Sequence, residues 1–186
     1  AERGVRFSSI VNMANRNNGR TGMGLVMASK NLKAVVVRGS GKMSIANPGK
    51  LSELAKWGAK NLAENADVDG LGKMGTASVV MVQNLLGSLP TRNYSEGQFE
   101  DAEAISGEKM TETILKRRDT CYACVVRCKR VVEAEKDGFQ VDPYYGGAEY
   151  ETLGTFGSYC GINDLEYVSY AHQICDEQGV DSITCG

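Results

Sequence analysis

The sequence is poor in several features that would narrow its class. Histidine occurs once and proline three times in 186 residues. No apolar run approaches the roughly 20 residues that a membrane-spanning helix needs, so we expect no membrane association. The formal net charge is −2, which provides no overall attraction to polyanions, and we therefore expect no nucleic-acid partner. The sequence also lacks an initiating methionine and a secretory signal pattern, which indicates a piece of a longer chain.

Glycine, by contrast, is frequent, and its distribution divides the sequence. The chain has 22 glycines and 42% hydrophobic residues, an ordinary content for a globular protein. Residues 1–45 are glycine-rich and β-like, whereas residues 46–186 show mainly helical patterns. We therefore predict an α+β fold in which a short β-rich, glycine-rich N-terminal piece precedes a mainly α-helical domain.

Two strands are predicted in the N-terminal piece. Residues 5–13 (VRFSSIVNM) and residues 32–39 (LKAVVVRG) are short apolar runs, and the second is rich in β-branched residues and ends at a glycine. The second run therefore predicts a buried strand. The intervening residues 15–24 (NRNNGRTGMG) predict a loop, followed by one or two helical turns.

Five helical segments are predicted after residue 46. In the first, Asn47 is placed as the N-cap and Pro48 at the first helical position. The others cover residues 76–89, a segment from Ser106 that leads directly into a cysteine cluster, residues 148–161 and residues 163–178. For the last helix, Asn163 is the predicted N-cap and Gly179 the residue after its C-terminus.

The stretch RRDTCYACVVRCKR, residues 117–130, contains three cysteines in the pattern C-x2-C-x3-C. On a helix or a tight turn this spacing places Cys121, Cys124 and Cys128 on the same side. Three converging soft thiolates fit an iron–sulfur cluster, a zinc site, or inert or disulfide-bonded cysteines. The flanking Arg and Lys side chains favour a cluster, whose thiolates carry negative charge, although they also fit a solvated surface.

A fourth ligand is not evident from the spacing. Cys160, Cys175 and Cys185 are candidates, as is a residue beyond position 186. His172 and Cys175 form an H-x2-C pair, but they share the apolar face of a predicted helix. We therefore interpret both as core residues rather than as ligands.

Two acidic stretches are also unusual. GGAEYETLG contains Glu149 and Glu151, whose spacing lets at most one of them face a site on a helix. DEQGVDS contains Asp176 and Asp181 on either side of a glycine turn. A solvated helix start and an ordinary helix end are the simpler interpretations of the two stretches.

Together these stretches resemble the tungsten- or molybdenum-pterin aldehyde:ferredoxin oxidoreductase family. The resemblance covers essentially the whole chain. Its motifs are, in order, NGRTGMGLVMASKNLKAVVVRG, LPTRNYSEGQF followed by ISGE, CYACVVRC, GGAEYETLGTFGSYCGI and DEQGVDSIT. The resemblance implies an internal part of a three-domain cytoplasmic enzyme, with residues 1–45 ending the sheet-rich pterin-base domain and residues 46–186 forming most of the helical second domain.

The resemblance also implies the cofactors and their contacts. They are a tungsten (or molybdenum) bis-pyranopterin, Mg²⁺ bridging the pterin phosphates, and a [4Fe–4S] cluster held by the three motif cysteines and by a fourth beyond residue 186. The implied pterin-binding residues are Arg16, Asn17, Asp176, Val180 and Asp181. Val180 replaces the usual leucine of its motif, Asn17 replaces a common alanine, and Ala148 replaces a proline.

The implied reaction oxidises an aldehyde to a carboxylic acid, with Glu151 as the catalytic proton carrier and with ferredoxin or another iron–sulfur carrier receiving the electrons. A homo-oligomer or an assembly with electron-transfer subunits is compatible with the family. One alternative is the active subunit of a tungsten-dependent benzoyl-CoA reductase from the same family. Others are a non-catalytic iron–sulfur electron-transfer module and a structural zinc-binding module.

Overall fold

The computed structural model describes residues 1–186, apart from the side chain of Ala63. The described chain has an α+β fold, as predicted, with three two-stranded antiparallel sheets. The strands are β1 (Ile10–Asn12), β2 (Arg16–Asn18), β3 (Leu115–Asp119), β4 (Lys129–Val132), β5 (Ala134–Lys136) and β6 (Phe139–Val141). The helices are α1 (Met23–Ser29), α2 (Pro48–Ala63), α3 (Ala66–Met74), α4 (Val79–Leu85), α5 (Gly107–Thr113), α6 (Tyr150–Thr152), α7 (Leu165–Gln178) and α8 (Ser182–Cys185).

The N-terminal strand is shorter than predicted and belongs to a hairpin. β1 pairs with β2, and Asn12 lies opposite Arg16 in the antiparallel register. The turn between the strands has positive φ values of 52° and 63° at Met13 and Ala14. The prediction of a loop throughout residues 15–24 was therefore wrong for β2, because an asparagine-rich segment forms the second strand once β1 lies beside it.

The predicted buried strand at residues 32–39 is absent from the described chain. Val35, Val36 and Val37 are instead exposed by 69%, 92% and 82%, and the segment has no regular structure. A β-branched run becomes a strand only when a neighbouring strand satisfies its backbone N–H and C=O groups. Among the described residues no strand lies beside this run.

Helix α2 begins as predicted, because the side chain of Asn47 accepts a hydrogen bond of 2.9 Å from the backbone N–H of Lys50 and Pro48 occupies the first turn. Its apolar stripe is nevertheless exposed, with Leu51, Leu54 and Trp57 at 51%, 55% and 61%. The following helix α3 was not predicted.

The hydrophobic core lies between α4, α5, α7 and the β3–β4 and β5–β6 hairpins. Its large side chains are completely or almost completely buried: Leu89, Phe99, Ile105, Met110, Val132, Val141, Leu153, Leu165 and Val168. The predicted helix at residues 76–89 contributes to this core, but it consists of a single 3-10 turn followed by α4.

The helix predicted to lead directly into the cysteines ends earlier. Ser106 caps α5 by accepting a hydrogen bond from the backbone N–H of Lys109, but α5 stops at Thr113 and the chain continues as β3. β3 pairs with β4, so that Asp119 lies opposite Lys129. The cysteines therefore occupy a loop between two paired strands, not a helix, because the backbone of β3 finds a partner in β4.

A second hairpin, β5–β6, was also missed by the sequence analysis. Its turn is Asp137–Gly138, with φ values of 50° and 84°. Asp-Gly is a strong signal for this type of turn. The signal was present, but the short strands beside it were interpreted only as a turn-rich segment.

The last third of the chain contains the predicted helices in altered form. The segment after α6 is a π-helical turn, Leu153–Gly157, followed by one 3-10 turn. α7 ends as predicted at Gly179, which has a left-handed φ of 63°. Its N-cap is Asp164 rather than Asn163, because the Asp164 carboxylate accepts the backbone N–H of Tyr167.

The beginning and the end of the described chain lie side by side. Ser8 and Val180 form an antiparallel bridge, and the backbone N–H groups of Ser9 and Asp181 donate to the carbonyls of Gly179 and Phe7 at 2.8 and 2.9 Å. This pairing brings the β1–β2 hairpin next to the end of α7.

None of the described helices is both long and apolar enough to cross a membrane.

Candidate functional site

A cavity of about 530 Å³ lies where the two ends of the chain meet. Its walls come from the β1–β2 hairpin, the start of the cysteine loop, the turn before α6 and the segment after Gly179. Six of the nine site residues proposed from the sequence line it: Arg16, Asn17, Cys121, Glu151, Val180 and Asp181. The fold thus brings together residues that are far apart in the sequence.

Arg16 connects the hairpin to the strand that precedes the cysteines. Its Nη2 atom lies 2.9 Å from Asp119 Oδ2, and its Nη1 atom donates to the side chain of Asn15 at 2.7 Å. Burial alone would raise the pKa of Asp119. Hydrogen bonds from the Thr120 backbone and the Arg16 guanidinium, with the positive charge of Arg16, instead hold that pKa below its usual value.

Asn17 contacts Asp176 directly. The Asn17 amide donates to Asp176 Oδ1 at 2.5 Å, and burial raises the pKa of Asp176 above its usual value. Asp176 Oδ2 is also buried but has no hydrogen-bond partner among the described residues. Asp176 therefore lies behind the cavity wall, with one carboxylate oxygen unsatisfied.

His172 is the site residue that the sequence analysis missed. It lies one turn before Asp176 on α7, lines the cavity, and has its Nε2 atom 3.5 Å from Asp176 Oδ2. Burial lowers the pKa of His172, and its Nδ1 atom has no hydrogen-bond partner in the described part of the chain. The available signal was its i, i+4 spacing to Asp176, but a core histidine has the same spacing.

Asp181 and Val180 occupy the segment after Gly179. The Asp181 carboxylate accepts hydrogen bonds from the backbone N–H of Ile183 and from the Thr184 hydroxyl, so it caps α8. Arg20 Nε lies 3.6 Å from Asp181 Oδ2. Val180 is held by its backbone, since its N–H donates to the Cys175 carbonyl at 2.9 Å. A ligand of Asp181 would therefore share this carboxylate with the helix cap.

The three motif cysteines share one loop, but their side chains form no metal-binding group in the structure. Cys121 is exposed, whereas Cys124 and Cys128 are partly buried. The Thr120 hydroxyl donates to the Cys124 carbonyl at 2.7 Å, and the Cys124 N–H donates to the Cys121 carbonyl at 3.1 Å. Among the described residues no three Cys, His, Asp or Glu side chains lie close enough to bind one metal ion. The donor set nevertheless fits an iron–sulfur cluster chemically, because it offers three thiols on one short loop.

Two glycines on or next to α3 allow the cysteine loop to pack closely. A Cβ atom on Gly72 would lie 2.8 Å from the Val126 carbonyl oxygen, and one on Gly75 would lie 2.8 Å from the Cys128 carbonyl oxygen. The buried guanidinium of Arg130 donates to the carbonyls of Gly72 and Arg127 at 2.8 and 3.0 Å. The loop is thus fixed against α3 by its backbone.

The remaining cysteines do not complete the set. Cys160 and Cys185 are exposed and Cys175 is buried. Burial, with the neighbouring Cys185, raises the pKa of Cys175 to about 12. A thiol that holds its proton so firmly is a poor candidate for a thiolate ligand.

Glu151 lies on the wall between two cavities. It lines the large cavity and also a second one of about 320 Å³. Arg20 and Ile183 likewise line both cavities. Glu149, two residues earlier, forms an ion pair with Lys129. The two carboxylates therefore diverge, as their spacing predicted, and Glu151 has no ion-pair partner among the described residues.

The second cavity is aromatic. Tyr94, Tyr150 and Tyr159 line it, and the rings of Tyr94 and Tyr159 meet edge to face with centroids 5.2 Å apart. Burial raises the pKa of Tyr150, so its phenol stays neutral near pH 7. The cavity thus places three tyrosine rings beside the Glu151 carboxylate and the Arg20 guanidinium.

Two family models match the chain. The model described as aldehyde ferredoxin oxidoreductase, domains 2 & 3, matches residues 53–186. The model described as aldehyde ferredoxin oxidoreductase, N-terminal domain, matches residues 1–39.

Curated relatives agree with these matches. The chain is 40% identical over 186 residues to a tungsten-containing aldehyde ferredoxin oxidoreductase of Pyrococcus abyssi, covering 100% of the chain and 30% of the relative. It is 40% identical over 183 residues to the protein of the same name from Thermococcus kodakarensis, covering 98% of the chain and 29% of the relative. An aliphatic sulfonate oxidoreductase, WOR-like subunit, of Pyrococcus furiosus is 31% identical over 192 residues, covering 100% of the chain and 29% of the relative. The chain thus spans about 30% of the length of the first two relatives.

A solved structure has the same fold. It is the active-site complex of benzoyl coenzyme A reductase with 1,5-dienoyl-CoA, which matches with a TM-score of 0.69 over 97% of this chain and 28% of that chain. The sequence identity is 23%, so this match concerns the fold alone.

Proposed function

The chain belongs to the aldehyde ferredoxin oxidoreductase family, and on that premise we propose that it is part of a tungsten enzyme that oxidises aldehydes to carboxylic acids. The observation that carries the proposal is the shared cavity, because Arg16, Asn17, Glu151 and Asp181 reach it from distant parts of the sequence. Relatives at 40% identity bear the aldehyde ferredoxin oxidoreductase name. The benzoyl coenzyme A reductase match at 23% identity supports only a common fold, so the aldehyde reaction is favoured.

The cavity fits a pterin cofactor by the chemistry of its wall and of the carboxylate directly behind that wall. Asp176 Oδ2 and His172 Nδ1 are buried without partners among the described residues, and such atoms match a heterocycle rich in N–H donors and ring nitrogens. In this proposal Asp176, Val180 and Asp181 hold the pterin. Arg16 and Asn17 line the cavity from the β1–β2 hairpin. There Arg16 would supply positive charge for the pterin phosphates, and Asn17 would supply a backbone carbonyl for their Mg²⁺. The bound tungsten (or molybdenum) bis-pyranopterin would supply the two-electron chemistry.

The cysteine loop is the proposed cluster site. Cys121, Cys124 and Cys128 would hold a [4Fe–4S] cluster with a fourth ligand from another part of the longer enzyme. Cys121 lies at the cavity edge, so the proposed cluster and pterin sites adjoin. The positive side chains around the loop would stabilise the negative charge of a thiolate cluster.

The protein groups at the cavity have distinct proposed tasks. Oxidation of an aldehyde with one water molecule yields a carboxylic acid, two protons and two electrons. Glu151, which lies between the two cavities, would accept a proton at its carboxylate oxygen. The tyrosine-lined second cavity would bind the aldehyde side chain and exclude water from it. The electrons would leave one at a time to ferredoxin or another iron–sulfur carrier.

The domain division and the cellular setting are further parts of the proposal. The family models match residues 1–39 and 53–186, which supports a boundary near residue 45 between the pterin-base domain and the helical domain. We also propose that the longer enzyme forms a homo-oligomer or assembles with electron-transfer subunits. Six free cysteines among the described residues are compatible with the reducing conditions of the cytoplasm.

The deciding experiment is metal analysis with electron paramagnetic resonance on the full-length protein, purified without oxygen. We expect tungsten or molybdenum, about four irons per chain, and reduction of the iron signal by an aldehyde. Zinc in place of iron would support the structural zinc-binding module instead. Iron without tungsten or molybdenum, and without aldehyde oxidation, would support a simple electron-transfer protein.

A further inference from the structure

One wall of the second cavity is a glycine that neither its backbone nor its packing requires. Gly154 is buried and lines this cavity of about 320 Å³. A Cβ atom added to it would have no atom within 4 Å outside its own helical turn, and its φ is not positive. Glycine inside a helical turn is unfavourable relative to alanine, so the fold alone gives no reason for Gly154.

Gly157, at the end of the same π-helical turn, has an evident structural reason. A Cβ atom there would lie 2.7 Å from the side chain of Ile105 in the core. The two glycines therefore have different surroundings, since Gly157 packs against the core and Gly154 faces the open cavity. π-Helical turns are frequent at functional sites. The missing side chain at Gly154 leaves space inside the cavity for a bound molecule.

Two tyrosines of this cavity are held in place by hydrogen bonds. The Tyr159 hydroxyl donates to Asn93 Oδ1 at 2.5 Å, and the Asn93 N–H donates to the Tyr159 carbonyl at 3.0 Å. Tyr150 begins α6, where its N–H donates to the Thr76 hydroxyl at 3.1 Å, and its side chain packs against the core. Both tyrosines are half-buried, so a ligand meets rings that are already positioned.

The segment that carries the third tyrosine has an unusual backbone. Arg92, Asn93 and Tyr94 have positive φ values of 43°, 56° and 60°, which non-glycine residues adopt at a cost in conformational energy. The N–H groups of Arg92 and Asn93 donate to the carbonyls of Ser158 and Tyr159, both at 3.0 Å, and hold this conformation. Strained segments of this kind cluster at binding sites. Here the segment places the exposed Tyr94 at the outer rim of the cavity.

The size and the lining of the cavity favour a flat aromatic group. A cavity of about 150 Å³ is enough to hold a benzene molecule, and this one has a volume of about 320 Å³. Aromatic rings pack against tyrosine rings edge to face or in offset stacks, whereas a methyl group would leave most of the space empty. Glu151 lines both cavities, so it would face the aldehyde group attached to such a ring.

We propose that the second cavity binds the aromatic ring of an aryl aldehyde and that Gly154 determines how large this ring can be. The inference rests on the proposed function, since it assumes an aldehyde substrate next to Glu151. It adds the chemical class of the substrate and a residue that determines specificity. Tyr150 and Tyr159 contact the ring, and the space in front of Gly154 receives its far edge.

The kinetic test compares benzaldehyde with acetaldehyde, using the full-length enzyme and methyl viologen as the electron acceptor. The variants are Gly154→Val and the milder Gly154→Ala, which fill the open space to different extents. The matched control is Gly70→Val, at a glycine of α3 that also has open space around it and lines neither cavity. Thermal unfolding shows that each variant has folded.

Binding is measured separately from catalysis. Benzamide, which is aromatic but is not an aldehyde, and cyclohexanecarboxamide, which has a saturated ring of similar size, are titrated into the full-length enzyme and followed by saturation-transfer NMR. Tyr159→Leu removes one aromatic ring of the cavity, whereas Tyr159→Phe keeps it. This pair of variants separates the ring from the hydroxyl.

We expect Gly154→Val to lower the ratio of kcat/KM for benzaldehyde to that for acetaldehyde by about 10–100-fold, with a smaller decrease for Gly154→Ala. Benzamide binding should weaken in parallel, and Gly70→Val should leave both unchanged. The unmodified enzyme should bind benzamide about tenfold more tightly than cyclohexanecarboxamide. Tyr159→Leu should reduce this preference, and Tyr159→Phe should retain it.

Three results would overturn the aryl-binding cavity. If both Gly154 variants keep the unmodified ratio and bind benzamide normally, the aldehyde side chain lies elsewhere and the proposed oxidation of aldehydes stands. If cyclohexanecarboxamide binds as tightly as benzamide, the cavity selects size and not aromatic character. If the unmodified full-length protein contains neither tungsten nor molybdenum and oxidises neither aldehyde, this inference and the proposed function both fail.

Discussion

Asn17 in the N-terminal hairpin donates a hydrogen bond of 2.5 Å to Asp176 Oδ1 near the end of α7. This contact joins the two ends of the chain across the back of the cavity. It also satisfies only one oxygen of a buried carboxylate whose second oxygen has no partner among the described residues. The unpartnered oxygen is therefore a cost in stability to the fold.

Replacing Asp176 by Asn should increase the free energy of unfolding of the cofactor-free full-length protein at pH 7. Burial raises the pKa of Asp176 above the value of about 3.9 for an unfolded chain, so the ionised carboxylate destabilises the fold above that pH. The gain should shrink as the pH falls toward about 4, where the native carboxyl is protonated and the unfolded one is about half protonated. Urea unfolding at pH 7 and pH 4 measures the difference.

Glu53→Gln on the exposed face of α2 serves as the control for Asp176→Asn and should change the stability little at either pH. A loss of stability in Asp176→Asn at pH 7 would show that favourable contacts of the ionised carboxylate outweigh the cost of burying it. Pterin content should fall in this variant, since the proposed ligand loses its charge.

Two glycines of α3 should respond in opposite ways to alanine. In a helix, Gly→Ala normally stabilises by about 1 kcal/mol, and Gly70, which has open space around it, should follow this rule. At Gly72 the new Cβ atom would lie 2.8 Å from the Val126 carbonyl oxygen, so Gly72→Ala should destabilise by about 1–3 kcal/mol. Thermal unfolding of the full-length protein distinguishes the two. Equal stabilisation by both variants would mean that the loop can move away from α3 freely.

Cys124→Ser should abolish the iron–sulfur signal of the full-length protein, because a hydroxyl is a much poorer ligand for iron in such clusters than a thiolate. Iron analysis and electron paramagnetic resonance provide the measurement. Cys160→Ser, at an exposed cysteine outside the loop, should leave both unchanged. The opposite pattern, with iron lost only from the Cys160 variant, would show that the cluster is bound outside the cysteine loop.

Glu151→Gln should lower the kcat for aldehyde oxidation by about 10²–10⁴-fold, the usual contribution of a positioned proton acceptor. Tungsten and iron contents should stay the same, since Glu151 is not among the proposed cofactor ligands. Glu112→Gln, on the exposed surface of α5, is the matched control. A normal kcat in Glu151→Gln would assign proton transfer to another group at the cavity, of which His172 is the nearest candidate by chemistry.

Features that depend on neighbouring residues in the sequence were predicted well. The Asn47 cap, Pro48 and the left-handed Gly179 act within one or two helical turns, so the local sequence determines them. The strand predicted at residues 32–39 is absent and β3 was missed, because a strand depends on a partner that the local sequence does not specify. In both cases the β-propensity of the residues was not enough to predict whether a strand forms.

The site was predictable as a set of motifs but not as a geometry. Arg16, Glu151 and Asp181 were selected by resemblance, and the structure shows that they line one cavity. The role of His172 could not be separated from that of a core residue, because only the folded chain places it beside Asp176. The assignment of these residues to cofactor and catalysis remains a prediction.

The bridge between Ser8 and Val180 determines when the cavity can exist. A ribosome releases the hairpin first and must add roughly 170 further residues before its partner segment appears, which takes about 10–30 seconds at ordinary rates of synthesis. During that interval the hairpin has no opposing wall. Insertion of a cofactor into this site therefore has to wait until the two segments have paired, and any delivery factor must recognise a chain in which this pairing has already formed.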